Sequence, residues 1–324
     1  MKRIVIFLIL FCIISLANLY QYSIDIFSKQ LIWYFLGFIS LFILNKFNIK
    51  SYRFVFILYL ILNVLLLYLL LFGDSINGSK AWIKIFNFSF QPSEFMKVVL
   101  IILLSYTSLI SKKLTFLYFL IPSVLTFLEP DTGNVIFYIL IYLSVVGIKF
   151  NKYILLVFLI GVFVLLNSSL LVDIIGVDIF YRLDRFIYFK DNYQLNMALL
   201  GISNSGIYGI QEMVSVPEAI TDFMFTFNIM NYGLIGLVVY LVINLSFNIF
   251  LIEKLDDLIG IDKLILRTFI VMKLFQEGIH IGMNVGFLPI TGITLPFISY
   301  GGSSLISYVF ILSFIFNNKG KVDI

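Results

Sequence analysis

Long apolar runs separated by short polar joints make up most of this chain. They lie near residues 4–20, 31–44, 54–72, 93–110, 114–128, 133–148, 153–172, 223–250, 264–283 and 303–316. The runs are continuous rather than alternating, which is a helical and not a β-barrel pattern. A helix needs about 20 apolar residues to cross a bilayer core. The pattern therefore predicts ten membrane-spanning helices, the second and last of them short. Lipid offers the backbone no hydrogen bonds, so helices are the spanning structure that fits. Two outer segments are longer than hairpins need. One runs from Gly73 to Gln91. The other, between spans seven and eight, runs from about Asp173 to Thr221. Its apolar stretch Met197–Ile202 is expected to lie on the membrane surface or to pack on the bundle. No internal repeat or linker breaks the pattern, so residues 1–324 read as a single all-α integral membrane domain.

Composition agrees and narrows the chemistry. Of 324 residues, 61% are hydrophobic and 12% charged, about half the charge of soluble domains. A soluble enzyme, a disordered chain and a nucleic-acid-binding domain are excluded. There is one histidine, His280, and one cysteine, Cys12. A histidine-ligated metal cluster, a cysteine cluster and a disulfide are excluded too. Acid–base work falls to carboxylates, a lysine or a tyrosine.

Charge placement predicts orientation. With the amino end in the cytoplasm, the inner segments hold Lys2, Arg3, Lys46, Lys50, Arg53, Lys112, Lys113, Lys149, Lys152, Lys254, Lys263, Arg267, Lys319 and Lys321. The acidic residues among them are Glu253, Asp256, Asp257, Asp262 and Asp323, a small share of the total of 18. The lysine and arginine bias sets orientation, so both termini are predicted to be cytoplasmic.

Every even-numbered span then starts at the outer face, with its positive dipole end and unpaired N–H groups pointing outward. Four polar clusters coincide with such starts: Gln91 to Glu94, Glu129 to Gly133, Pro217 to Asp222, and Ser299 to Ser304. Capping alone accounts for any one of them. Four together, all on one face, favour a shared outward site for an anionic ligand, and they argue against a transporter, which offers its site to both sides. Lys97 shares a helix face with Glu94, either as a structural ion pair or as a cation for phosphate. Glu218 and Asp222 are four apart, so a helix starting near Pro217 would turn both carboxylates one way. Partial burial and a like charge suit Asp222 to general-base work. Asp131 fits an N-cap. The stretch Gly286–Phe297, with two glycines and two prolines, is not one regular helix and is expected to line a cavity or be buried in protein.

These clusters, in this order, resemble the SEDS family of bacterial cell-wall proteins. Phe90 to Glu94 with Lys97 is similar to the family's first outer motif, and Pro130-Asp131 with Gly133 to the second. Tyr193-Gln194, Gly201-Ile202 and Ser205-Gly206 resemble the long outer loop. Pro217-Glu218 with Thr221-Asp222-Phe223 resembles the next motif. Leu288 to Gly292 and Leu295 to Ser304 resemble the terminal signature, the most distinctive of all. The resemblance implies ten spans and polymerisation of lipid II, on its undecaprenyl pyrophosphate carrier, into glycan strands outside the cytoplasmic membrane. It implies a catalytic role for Asp222. Lys80, Trp82, Gln91, Glu94, Lys97, Asp131, Gln194, Glu218, Thr221, Ser299, Gly301, Gly302 and Ser303 are then the candidate substrate-binding residues. It further implies a class B penicillin-binding protein as partner and assistance by a divalent cation such as Mg2+ or Mn2+, with no organic cofactor and no readable metal site.

The chain departs from the family pattern in places. Ala81, not arginine, precedes Trp82, with Lys80 one further back; lysine supplies charge without a bidentate fork. Met230-Asn231 stands where an acidic pair is usual, and His280 where asparagine is common. Two other readings stay open: a lipid II flippase, and a non-catalytic scaffold for a penicillin-binding protein.

Overall fold

The computed structural model describes residues 2–44, 46, 50–74, 79–85, 88–147, 192–209 and 214–317. Among them are ten helices and one small antiparallel ribbon. Helices α1 (Lys2–Tyr22), α2 (Ile24–Leu44) and α3 (Tyr52–Phe72) come first, followed by the strands β1 (Ile83–Ile85) and β2 (Phe88–Phe90). Next are α4 (Pro92–Thr107), α5 (Lys112–Leu128) and α6 (Thr132–Val146). Helices α7 (Tyr193–Ser203), α8 (Met224–Asp256), α9 (Gly260–Asn284) and α10 (Gly302–Ile315) complete the chain. Nine of the ten apolar runs coincide with a helix; the tenth, 153–172, lies outside the described residues, as do residues 173–191 of the loop after it. The second run, expected to be short, belongs to a helix of 21 residues whose first two turns carry Asp25 and Lys29, an ion pair at 2.9 Å. Helices α1, α2, α3 and α8 are long and apolar enough to cross a membrane.

Helices α1, α2 and α3 each bury one stripe and expose another that is equally greasy. On α1 the buried stripe is Ile4, Leu8, Phe11, Ser15 and Asn18, while Ile6, Ile9 and Ile13 face outward. Apolar residues on both sides are what a helix between protein and lipid requires. Helix α4 differs, since nearly every residue from Pro92 to Thr107 is buried. It is the central post, with α3, α5, α6, α9 and α10 packed around it. The Met197–Ile202 stretch belongs to α7, which packs on α8 and α9 through Leu195, Ala198 and Gly201.

Helix α8 is broken inside. Gly233 has φ 61 and ψ −149, and the amides of Leu234 and Ile235 donate instead to the carbonyls of Gly206 (3.1 Å) and Ile207 (3.3 Å). The loop after α7 thus supplies the acceptors that the broken turn loses. Apolar periodicity predicts one continuous helix here; the interruption comes from glycine and from a distant loop.

At the opposite end from the polar clusters, Lys50 meets Asp262 at 2.8 Å and Tyr106 donates to the Lys50 carbonyl at 3.1 Å. This tie brings together the start of α3, the end of α4 and the start of α9.

Candidate functional site

The starts of α4, α6, α8 and α10 meet at one end of the bundle. Asp131 caps α6, its Oδ1 accepting the Asn134 amide at 3.3 Å. Its Oδ2 accepts from Gln91 Nε2 (3.0 Å), Ser93 Oγ (2.9 Å) and Asn134 Nδ2 (2.8 Å). The first and second motifs are therefore one hydrogen-bonded unit. The Gln91 amide donates to Ser303 Oγ at 3.0 Å, which joins the first motif to the terminal one. Gly133 completes the link: a Cβ there would stand 3.6 Å from the Thr291 carbonyl and from Ile293.

Asp222 sits across that same loop. A Cβ on Gly292 would lie 3.6 Å from Asp222 Oδ2. The Asp222 side chain is half-buried, and its backbone is pinned on every side. Its carbonyl accepts from Asn284 Nδ2 at 2.9 Å. The Thr221 carbonyl accepts from Ser299 Oγ at 2.7 Å, and the Ile220 carbonyl from the Tyr300 amide at 2.9 Å. Ser299 Oγ also accepts the Leu295 amide at 2.8 Å. One serine hydroxyl thus fixes both the aspartate's turn and the loop opposite.

The turn differs from the sequence expectation. Helix α8 begins at Met224, not near Pro217. Residues 217–223 form turns in which the amides of Thr221, Asp222 and Phe223 all point to the Glu218 carbonyl at 3.0 to 3.2 Å, with Glu218 at φ 54. Glu218 is exposed, and its carboxylate takes the Thr221 hydroxyl at 3.0 Å. The two carboxylates do not share a helix face, because the left-handed residue 218 turns the chain before the helix starts.

Lys97 is buried at 1% exposure, with Nζ 2.8 Å from Glu94 and 4.8 Å from the centre of the Phe137 ring. Its ammonium faces a carboxylate and an aromatic ring rather than an open surface, which is the ion-pair alternative. Lys80 is half-buried; its amide donates to the Glu129 carbonyl (3.2 Å) and its Nζ reaches the Leu70 carbonyl (3.5 Å). Trp82 is half-buried beside the ribbon. Gln194 lies in the first turn of α7, where its amide is capped by Asn192 at 2.8 Å. Gly301 donates to Gln30 at 3.4 Å, and Gly302 lies against the Trp33 indole, so closely that a Cβ would overlap the ring.

Three residues outside the candidate set also belong to this end. Glu129 is fully buried, and neither of its carboxylate oxygens has a hydrogen-bond partner among the described residues. Burial first, and the nearby Asp131 second, push its carboxyl up to about 8, so it is mostly protonated at neutral pH. Asn284 and His280 come from α9, and the signal for them is the series Lys273, Gln276, His280, Asn284, whose successive members are three or four residues apart. The departures from the family pattern have structural uses. Met230 fills the space over Gly201, and Asn231 donates to Asn18 Oδ1 at 2.9 Å.

No three His, Cys, Asp or Glu side chains among the described residues come together as a metal cage. Asp131 is already occupied by amide and hydroxyl donors. These residues do not fit a dedicated divalent-cation site.

The chain is similar to proteins already known. The family model described as "Cell cycle protein", FtsW/RodA/SpoVE, matches residues 3–321. A probable peptidoglycan glycosyltransferase FtsW from Wigglesworthia glossinidia brevipalpis is 32% identical over 86% of this chain and 80% of its own. The corresponding protein of Haemophilus influenzae is 31% identical over 75% of this chain and 68% of its own. A chain in a solved peptidoglycan synthase complex superimposes with a TM-score of 0.81 at 23% identity, covering 98% of this chain and 96% of that one. Thermus thermophilus RodA superimposes at 0.70 and 24% identity, over 96% and 93%. These two establish the fold.

Proposed function

Because the chain belongs to the FtsW/RodA/SpoVE family, we propose that it is a peptidoglycan glycosyltransferase polymerising lipid II. The relatives carrying that name are similar across most of their length. The observation that carries the reading is the position of Asp222. Its half-buried carboxylate stands where four helix starts converge, on a backbone pinned from α9 and from the terminal loop.

In the proposed reaction the acceptor is a sugar hydroxyl of an incoming lipid II, and the donor is the growing strand on undecaprenyl pyrophosphate. Asp222 takes the hydroxyl proton as that oxygen attacks the donor's anomeric carbon. The new glycosidic bond forms while the bond from that carbon to the diphosphate oxygen breaks, and the diphosphate leaves with the pair of electrons. A fixed aspartate suits this, since a general base must be held within hydrogen-bond reach of its proton. The leaving diphosphate is stabilised by the outward N–H groups of α10 at Gly302 and Ser303 and by Lys80. Lys97 serves indirectly, holding Glu94 and the first turn of α4. Asp131 is a hub that keeps Gln91 and Ser93 in place.

The ten-span arrangement, the cytoplasmic-membrane location with both termini inside, and a class B penicillin-binding protein as partner complete the proposal. The lysine and arginine distribution supports the orientation. The partner is supported by the likeness to a chain of a synthase complex.

The test is polymerisation of labelled lipid II by the purified full chain, alone and with its transpeptidase partner, in lipid nanodiscs. Glycan ladders are expected. Movement of lipid II across a vesicle bilayer with no polymer would instead select the flippase reading.

A further inference from the structure

Helix α9 carries a polar stripe. Lys273, Gln276, Glu277, His280 and Asn284 recur at helical spacing, and all five are buried. Lys273 and Glu277 form a closed unit, the ammonium donating to Asn244 (3.0 Å), Asn248 (2.7 Å) and Glu277 (2.5 Å). Further along the stripe the side chains turn to the backbone of other segments. Gln276 donates to the Thr294 carbonyl at 2.8 Å. Asn284 donates to the Asp222 carbonyl at 2.9 Å and accepts from the amide and hydroxyl of Thr226 at 3.0 and 2.8 Å. His280 alone in the stripe bonds both sides: Nε2 accepts the Phe225 amide at 3.3 Å, and Nδ1 lies 2.7 Å from the Ile293 carbonyl.

Those two backbones bear the facing groups of the site. Phe225 lies three residues after Asp222, and Ile293 directly follows Gly292, over which Asp222 Oδ2 lies. A neutral imidazole offers one donor and one acceptor. Because Nε2 accepts, the proton belongs on Nδ1 and is given to Ile293. The opposite tautomer would present a hydrogen to an N–H and a lone pair to a carbonyl, losing both bonds. An imidazolium would lose the bond to Phe225.

We propose that His280 is a positioning residue for glycosyl transfer. Through its Nδ1–H tautomer it sets the spacing between the Asp222 turn and the terminal loop, and so the place of the carboxylate relative to the acceptor hydroxyl. This rests on the general-base reading of Asp222. The geometry gives His280 no contact with the reacting atoms; its effect is on how well Asp222 is aimed. Asparagine Nδ2 stands where Nδ1 does but the side chain does not reach as far as Nε2, so His280→Asn keeps in kind the bond to the Ile293 carbonyl, and His280→Leu removes both bonds.

The experiment measures initial polymerisation rates against lipid II concentration for the full chain with its partner. His280→Leu is expected to lower kcat about tenfold or more, the scale of a misplaced catalytic group, with KM within about twofold of the parent. His280→Asn is expected to recover part of that loss. Parent-like kcat in His280→Leu, or no recovery in His280→Asn, overturns the inference. Asp222→Asn is run in parallel. If it polymerises normally, the general-base reading fails and takes this inference with it. If it is dead while His280→Leu is fully active, only the inference fails. A second measurement needs no variant. The chain has a single histidine, so 15N-histidine labelling gives one imidazole. The nitrogen spectrum at neutral pH is expected to show a protonated Nδ1 and a bare Nε2; the reverse pattern overturns the proposal even if His280→Leu does not fold.

Discussion

Asp222 owes its place to backbone bonds and not to a helix of its own. The donors come from Asn284, Ser299 and Tyr300, on two other segments. Two neighbouring carboxyl groups show what burial does when partners are present and when they are not. Glu94 is buried against Lys97 at 2.8 Å. Removing only the lysine in Lys97→Met strands a buried carboxylate, at a cost of about 3–5 kcal/mol. The melting temperature is expected to fall sharply in Lys97→Met and to recover in Glu94→Gln/Lys97→Met, which leaves no charge behind. Glu129 lacks partners among the described residues, and its carboxyl is pushed up to about 8. A carboxyl raised on folding stabilises while it keeps its proton. That contribution is complete below the ordinary carboxylate range and is lost as pH rises through about 8. The parent protein is therefore expected to melt at a lower temperature at pH 9 than at pH 6. Glu129→Gln cannot ionise and is expected to lose most of that difference.

At the scale of elements, helix α8 depends on a glycine in the left-handed region. A Cβ on Gly233 would strike the Ile207 backbone, whose carbonyl is the acceptor for Ile235. Gly233→Ala is expected to destabilise the protein by about 1–3 kcal/mol, seen as a lower melting temperature in detergent. Sequence pattern shows the helices around this break but not the break itself. Apolar periodicity reports which residues meet lipid or core, and residues 223–250 are apolar on both sides of Gly233. The same limit explains the turn at 217–223. Proline and acidic residues signalled a helix start there, and the left-handed conformation of Glu218 moved the start to Met224. Asp131 as an N-cap, the irregular 286–297 segment and the gathering of four motifs at one end were all legible. The roles of His280 and Asn284 were not. A polar residue on a membrane helix signals a partner, but which distant carbonyl or amide it meets is a matter of tertiary packing.

For the whole molecule, the central post α4 and the helices around it gather the motifs at the end where α4, α6, α8 and α10 begin. The proposed orientation places that end outside the cell. With Cys12 changed to serine, a cysteine at exposed Ser203 is expected to react with an impermeant maleimide in intact cells. One at exposed Asp257, at the other end, is expected to react only after permeabilisation. The opposite labelling would reverse the topology and put the site in the cytoplasm. The site itself stands or falls on Asp222. The most direct measurement is the rate at which Asp222→Asn polymerises lipid II, in a preparation shown to bind lipid II and melt like the parent. A loss of about 10²-fold or more is expected, the usual scale of a general base, with lipid II binding retained. A variant that builds glycan strands at the parental rate would contradict it.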